Sequence, residues 1–464
     1  MALSGLEIYK LLPGGQKPPH PKANCKECGY PTCLAFAMKL AAKQAELSAC
    51  QYVSPEAAAK LSDAAAPPIR LVTLSANGHK LEVGNETVLF RHEKTFYHKP
   101  GLFVQVNDGD GLDAVMQTVA AVDAYHVDYV GMPLSLDGFA VAHTSDDAET
   151  YGDTVKAVCE ASQKLLILQA DDPAALKAGL AAAAGRTPLV YAADAENWRQ
   201  VALAAKTAKA PLAVRVADGD PSTSSGQRLE ALARLTEEIA KFGVEDLVLD
   251  PGVRGFNQSL ATLTAMRRLA LKENFRPLGY PVITFPGQGA ASQLDEVVLA
   301  GQQIAKYAGI VVLSHFTPAS AYALLVLRQN IYTDPQKPIQ VEPGVYPINN
   351  PGPGDPLMVT TNFSITYFSV ANEVESSGLP GWLLVADAEG MSVLTAWAAG
   401  KFDAERIAKA VKESGAAGKI NHQSVIIPGH TAVLMGELEE ELPGWTIKVG
   451  PREAVDLPAF LKLN

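Results

Sequence analysis

Cysteine is scarce in this chain, with five in 464 residues. That excludes a disulfide-stapled fold, and nothing ahead of the first cysteine resembles a secretory signal, so the expected compartment is reducing and cytoplasmic. Charge is thin as well: 19% of residues are Asp, Glu, Lys or Arg, and the net charge is −11. No long Lys/Arg cluster and no interleaving of basic with aromatic residues occurs, which argues against nucleic acid as a partner. No apolar run approaches the roughly 20 residues of a membrane span. What remains is a chain that is 48% hydrophobic, enough for about two to four ordinary globular domains.

Four of the five cysteines fall within the first 50 residues, as Cys25-x2-Cys28-x4-Cys33-x16-Cys50. Thiolates are soft ligands suited to Fe–S clusters, zinc or Cu(I). The first pair shares one turn, Gly29 can take the positive φ that aims backbone N–H groups at sulfur, and Pro31 stiffens the loop before Cys33. A helix is expected from Cys33 through Leu34–Leu40. It must stop near Ala42, because a helix continued to residue 47 would carry the chain roughly 20 Å away and strand Cys50. A structural zinc site normally pairs two short knuckles, and only one is present here, so the spacing favours an Fe–S cluster over zinc and places a disulfide last. The fifth cysteine, Cys159, reads as a packed small hydrophobe, with a nucleophile as the alternative. Lys26 and Lys43 read as solvated.

The first twenty residues hold a short amphipathic stretch (Leu3–Leu12) and a Gly/Pro/Lys-rich segment. A cluster module over 1–62 and a linker over 63–86, with Ala64–Pro68 at its head, are expected. From 87 to 333 apolar runs alternate with Ala/Leu/Lys/Glu segments. The runs are Leu102–Val106, Val127–Met132, Phe139–Ala142, Leu165–Gln169, Leu189–Ala192, Leu212–Val216, Leu247–Leu249, Pro281–Phe285 and Ile310–Leu313. The rhythm predicts parallel strands with crossover helices, in number suited to a TIM-type (β/α)8 barrel. Asp250 stands at a strand end, where such barrels place chemistry, but helix capping explains it equally well. A Pro/Gly-rich linker is expected over 334–357, and with the stretch at 64–68 it predicts mobile domains.

The last part, 358–464, resumes an α/β rhythm. An extended run is expected from Met358 through Phe368, with strands at Trp382–Val385, Ser424–Ile427 and Thr446–Val449 and helices at Ser392–Ala399 and Ala404–Lys412. This is a small Rossmann-like open sheet, in which ligands bind beyond the strand carboxyl ends. Candidate loops are Asp387–Ser392, Pro428–Thr431 and Gly450–Arg452, each of which is also compatible with an ordinary βα turn.

Three features together resemble one family: the cysteine spacing, the segment Thr360–Phe368, and the run Leu383–Val393 followed by Gly400-Lys401-Phe402. Asn421-His422 with Ile426–Gly429, and Gly444-Trp445 with Val449–Glu453, extend the likeness over the whole chain. The chain resembles the large (gamma) subunit of the corrinoid/iron–sulfur protein of the acetyl-CoA (Wood–Ljungdahl) pathway. The resemblance implies an α/β architecture of a 4Fe-4S module, a TIM-type barrel and a corrinoid-binding domain. It implies a cobalt corrinoid that takes a methyl group from methyltetrahydrofolate through a separate methyltransferase and passes it to acetyl-CoA synthase. It further implies a small subunit completing a heterodimer, carbon monoxide dehydrogenase/acetyl-CoA synthase as receiver, and a low-potential electron donor whose electrons pass through the cluster to restore Co(I).

The site residues that follow are Cys25, Cys28, Cys33 and Cys50 for the cluster. For the corrinoid they are Thr361, Asn362, Ser364 and Thr366, whose polar groups would meet corrin amides or merely suit a strand. Gly390, Met391 and Ser392 would bring backbone N–H groups to the corrin edge, with Ser392 and Thr395 under its lower face; Ala388 and Glu389 on the same loop, and Gly429 and Arg452 on neighbouring loops, would also bind the corrinoid. The Asp-x-His-x-x-Gly motif that supplies a lower histidine ligand in many cobalamin methyltransferases is missing; Asp123-Ala124-Tyr125-His126 has the wrong spacing. A base-off cobamide without an axial histidine is therefore expected, since a strong lower donor makes Co(I) harder to reach. His430 is the loop histidine that competes with this reading. Two alternatives stay open: a pterin-dependent methyltransferase with an accessory cluster, using barrel acids such as Asp250, and an electron-transfer or scaffold subunit.

Overall fold

The computed structural model describes residues 4–463 apart from 19, 42–44, 46, 59–60, 62–66, 130–131, 217–224 and 335–338. Lys43, Ala64–Ala66 and the prolines at 335 and 338 thus lie outside the described residues. The chain divides into two compact units, residues 1–125 with 136–331, and 126–135 with 332–464.

The first unit opens with helix α1 (Gly5–Leu11), begun by a capping box in which Ser4 and Glu7 satisfy each other's backbone N–H groups. It packs on α2 (Cys33–Ala41). The crossing is so close that a Cβ on Gly5 would meet Met38 Sδ at 2.1 Å. After α2 a 3-10 turn at Leu47–Ala49 leads into Cys50, whose N–H donates to Leu47 O. The hairpin β1 (Val72–Ala76) and β2 (His79–Val83) follows, within the stretch 63–86 that the sequence reads as a linker, an expectation its buried apolar residues correct. Its alternate residues Val72, Leu74, Leu81 and Val83 are buried among inward-facing barrel side chains such as Phe103 and Ile310. Each contributes about 1.5–3 kcal/mol of apolar burial. A Cβ on Gly101 would strike Leu81 and one on Gly309 would touch Val83. Both glycines lie at or near strand starts, so the hairpin plugs the amino-terminal end of the barrel.

The barrel is closed by eight parallel strands: β3 (Gly101–Asn107), β6 (Gly138–Ala142), β7 (Leu165–Gln169), β8 (Leu189–Ala193), β9 (Leu212–Arg215), β10 (Leu247–Asp250), β11 (Val282–Thr284) and β12 (Ala308–Leu313), with β12 pairing back onto β3. Eight of the nine apolar runs seen in the sequence are these strands. The ninth, Val127–Met132, is not. It forms β4 (Val127–Tyr129) and, with the residues after it, β5 (Met132–Leu134), an antiparallel hairpin outside the barrel. Apolar alternation marks a strand but not its partner, and here the partner is the strand next in sequence. Helix starts follow the sequence: Asp172 caps the helix Pro173–Ala182, accepting from Ala174 and Ala175 N–H.

The second unit is a five-stranded sheet in the order β13 (Gly344–Ile348), β15 (Gly381–Ala386), β14 (Leu357–Thr361), β16 (Ser424–Ile427), β17 (Thr446–Val449). All are parallel except β13, which runs antiparallel along β15. Two expectations need correction. The stretch 334–357, read as a linker, holds β13; its Pro347 is tolerated because the strand is an edge. The extended run through Phe368 ends at Thr361, and Ser364–Ser377 is a helix. Its β-branched and aromatic opening mimics a strand, but Tyr367, Val370, Ala371 and Val374 recur at helical spacing and pack on Met358, Leu383 and Ile426. The hairpin of β4 and β5 joins this unit, with Tyr129 and Met132 against Val341 and Val385.

Candidate cofactor sites

The cysteine loops are built from local hydrogen bonds. Thr32 Oγ1 accepts from Ala35 N–H at 3.0 Å and starts α2 next to Cys33. Asn24, with φ 56°, donates its N–H to Cys33 Sγ at 3.3 Å and accepts from Cys33 N–H through its side-chain oxygen at 2.8 Å. Gly14 lies so close below that a Cβ there would meet Cys33 Sγ at 3.2 Å. Glu27, between the first two cysteines, accepts from Tyr52 OH at 2.6 Å and Lys22 Nζ at 3.1 Å. These exposed bonds supply geometry more than energy: they tie the loop of Cys50 to that of Cys25 and Cys28.

Cys28, Cys33 and Cys50 share one apolar cluster with Leu12 and Phe36. Burial pushes the Cys50 thiol up; the Tyr52 backbone opposes this, and nearby Cys28, Cys33 and Cys25 reinforce it. The other three sulfurs therefore stand within electrostatic reach of Cys50, and none of the four is in a disulfide. Among the described residues no three or more His, Cys, Asp or Glu side chains are arranged around a single ion. Four soft thiolates on two tied loops, with a backbone N–H already on one sulfur, suit an Fe–S cluster. Cys159 stands apart, its thiol pushed up by burial, as expected of a packed side chain.

In the second unit β14 is flanked by β15 on one side and β16 on the other, so the topology switches direction at β14. A cavity of about 370 Å³ opens at the carboxyl ends of β14, β16 and β17, where open α/β sheets bind ligands. Of the residues singled out in the sequence, Thr366, Ser392 and Arg452 line it. His430, weighed in the sequence as a competing ligand, lines it too, and so do Thr360, Phe363, Ser369 and Leu394, which were not singled out as site residues. Ser369 follows Thr366 by one helical turn, a signal hidden while the segment read as a strand. The hydroxyls of Thr360 and Thr361 are buried with no hydrogen-bond partner, a cost of about 1–3 kcal/mol each unless a ligand engages them.

The other named residues hold the loops. Asn362 Oδ1 accepts from Ala388 and Gly390 N–H, both at 2.9 Å, and its Nδ2 donates to Asp387 Oδ1 at 3.1 Å. The Gly390 N–H is thereby committed inside the loop rather than free to approach a corrin edge. Its φ is 74°, and a Cβ would strike Gln340. Exposed Glu389 pairs with Lys401, Met391 packs on the sheet core, and Ser392 Oγ and Thr395 Oγ1 lie 3.0 Å apart. Ser364 opens the helix after β14. Gly429 lets the loops after β16 and β17 close, since a Cβ would stand 2.6 Å from Gly450 O. His430 Nε2 faces Glu453 Oε1 at 3.7 Å.

Asp250 is fully buried in the barrel and both its oxygens are used. It takes two bonds from Arg254, one from Tyr191 OH at 2.7 Å and one from Gly252 N–H. Burial and the Asp250 carboxylate together push the Tyr191 phenol well up. The helix that follows is capped by Gly255, so Asp250 neither caps it nor offers a free oxygen to a pterin.

A four-thiolate module followed by an open sheet with a ligand cavity at its switch point defines an α/β carrier of more than one cofactor. The family model for the CO dehydrogenase/acetyl-CoA synthase delta subunit matches residues 71–461, and one for an Fe-S cluster matches 21–52. The chain is 45% identical to the corrinoid/iron-sulfur protein large subunit of Moorella thermoacetica, over 100% of this chain and 99% of that one. It is 34% identical to the acetyl-CoA decarbonylase/synthase complex subunit gamma of Archaeoglobus fulgidus, over 99% and 98%. The chain belongs to this family of corrinoid/iron-sulfur protein large (gamma) subunits.

Proposed function

We propose that this chain is the methyl-carrying, cluster-bearing subunit of a corrinoid protein in the acetyl-CoA pathway. The observation that carries the reading is the cavity at the β14 switch point with the unpartnered Thr360 hydroxyl in its lining, in a chain so similar along its length to a corrinoid/iron-sulfur large subunit. When bound, the corrinoid supplies a cobalt centre able to take up and release a methyl group, and the cluster supplies low-potential electrons. A corrin rim carries amide side chains, which fit a cavity edged by Thr360, Thr366, Ser369 and Arg452. Phe363 and Leu394 wall it with apolar surface and keep water from the ring. Asn362 keeps the β15 loop in place rather than touching the ligand.

His430 is the imidazole on this cavity among the described residues, and Glu453 engages it. A cobamide held here base-off and without histidine, as the missing Asp-x-His-x-x-Gly motif leads us to expect, would keep Co(I) within reach of a low-potential donor. A small partner subunit, a methyltetrahydrofolate:corrinoid methyltransferase and carbon monoxide dehydrogenase/acetyl-CoA synthase complete the cycle in the cytoplasm. No helix among the described residues is long and apolar enough to cross a membrane.

Metal analysis of the anaerobically purified complex tests this reading, with about four iron and one cobalt per large subunit expected. Cys28→Ala is expected to lose the cluster iron and reductive rescue of over-oxidised cobalt, while methyl acceptance by already reduced protein persists. Rescue at the parental rate would refute the role of the cluster. Nitrogen superhyperfine splitting in the Co(II) electron paramagnetic resonance spectrum would refute the histidine-free cobalt. A complex holding iron but no cobalt would favour the scaffold reading.

A further inference from the structure

The barrel has no part in the function proposed above, yet the inner face of its upper end is polar. Inward-facing residues lower down are Phe103, Ile167, Ala213 and Val248. Two residues further along the same strands, and so on the same face, stand Gln105, Gln169, Arg215 and Asp250. A barrel kept only as a scaffold would fill this layer with apolar side chains. Here the mouth instead holds a cavity of about 460 Å³, lined among others by Gln105, His143, Gln169, Tyr191, Arg215 and Gln288, a volume ordinary for small-molecule sites.

His143 is oriented with care. Asp108, almost wholly buried, accepts from Thr144 N–H at 2.6 Å, Ser145 N–H at 2.8 Å and Ser145 Oγ at 2.6 Å, and lies 2.9 Å from His143 Nδ1. So many donors define a carboxylate, so His143 Nδ1 carries the proton of this contact, and in the neutral imidazole the lone pair falls on Nε2. No protein group bonds Nε2 among the described residues. On the adjacent strand, and lining the same cavity, Gln169 has its amide nitrogen buried without a hydrogen-bond partner. The two positions are fixed in register: Ala142 pairs with Gln169, and His143 N–H donates to Gln169 O at 2.8 Å. A second acceptor, Gln105 Oε1, belongs to the same wall; Gln105 spends its nitrogen on Asn107 at 2.8 Å.

The cations at this mouth are already matched. Arg215 bonds Asp194 and Asp171, and Arg254 bonds Asp250. With Asp172 also lining the rim, acid exceeds base, so a phosphate or carboxylate would be repelled. The Tyr191 ring, 4.8 Å from that of Phe285, supplies a flat apolar wall.

The geometry points to a second small-molecule site at the barrel mouth, taking an uncharged planar heterocycle with a lactam edge. Its ring N–H would donate to His143 Nε2, its carbonyl would accept from Gln169 Nε2, and Asp108 would act as the residue that positions His143.

The test uses the full chain and two probes, uracil and hypoxanthine, observed by saturation-transfer NMR, with inorganic phosphate in parallel. Binding of at least one heterocycle with a millimolar or tighter dissociation constant is expected, together with none of phosphate. Gln169→Leu and His143→Leu should each weaken it about tenfold, the loss of one good hydrogen bond to a buried partner. Asp108→Asn should weaken binding while His143 is still present, and should shift the imidazole ¹⁵N resonances toward the other tautomer, a change that a purely structural Asp108 would not produce. Three outcomes would overturn the proposal: no heterocycle binding to the parent chain up to about 10 mM, binding untouched by both the Gln169 and His143 changes, or phosphate binding in their place. None of them bears on cobalt content, so this reading and the corrinoid reading fail separately.

Discussion

At the carboxyl ends of the barrel strands Asp250 receives Arg254, Tyr191 and Gly252, and Asp108 receives His143, Thr144 and Ser145. At the carboxyl end of β14 Thr360 and Thr361 keep buried hydroxyls without any partner, and Arg452 at the cavity edge stands exposed. Both regions end parallel strands in polar residues. The barrel settles its carboxylates against neighbouring donors and leaves Gln169 Nε2 open, whereas the open sheet settles Asn362 in the same way but leaves two adjacent hydroxyls on one strand unanswered. Burial alone therefore does not mark a binding residue; an unanswered donor or acceptor does.

The contrast can be broken most severely in the barrel. Asp250→Ala removes two bonds from the Arg254 guanidinium and the acceptor of the Tyr191 hydroxyl in a buried setting, and should cost about 3–5 kcal/mol, measured by chemical denaturation of the full chain. A smaller loss would mean that the network is less tightly coupled than its distances imply.

Asp108 allows a gentler version. Despite a burial that raises it, the hydrogen bonds from Ser145, His143 and Thr144 draw its carboxyl down from 3.8 to about 2. A carboxyl depressed in the folded state stabilises the chain fully above its unfolded value and loses that stabilisation as pH falls through the folded one. Some 2 kcal/mol should therefore drain away between about pH 4 and pH 2. The parent and Asp108→Asn should converge in stability over that window, and parallel curves would contradict the depressed carboxyl.

The least effect, and the most telling one, is expected in the open sheet. Thr360→Val removes a buried hydroxyl that nothing in the chain answers. It should raise the stability of the corrinoid-free chain by about 1 kcal/mol while lowering corrinoid retention several-fold. A loss of stability would show that the hydroxyl already serves the fold.

Much of this was legible in the sequence. The cysteine spacing marked the cluster loops, and apolar runs separated by helical stretches marked all eight barrel strands. Ser424–Ile427 and Thr446–Val449 match β16 and β17 to the residue. What escaped was decided by partners far away in sequence. Val127–Met132 has the composition of a barrel strand but pairs within its own hairpin. Gly344–Ile348 hides among prolines because an edge strand tolerates them. Thr366-Tyr367-Phe368 has strand composition and helical contacts. At the cavity the sequence reached Thr366, Ser392, His430 and Arg452 but took Asn362 and Gly390 for ligand contacts, because the bond by which they satisfy each other is one no local pattern reveals.

The short hairpin of β4 and β5 has a practical consequence. Because residues 126–135 are grouped with 332–464, the carrier unit is not a simple tail that can be trimmed off at one peptide bond. A fragment starting at Tyr332 would leave Val341 and Val385 stripped of Tyr129 and Met132. An excised unit that behaves like the parent would have to be spliced from two separate pieces of the gene.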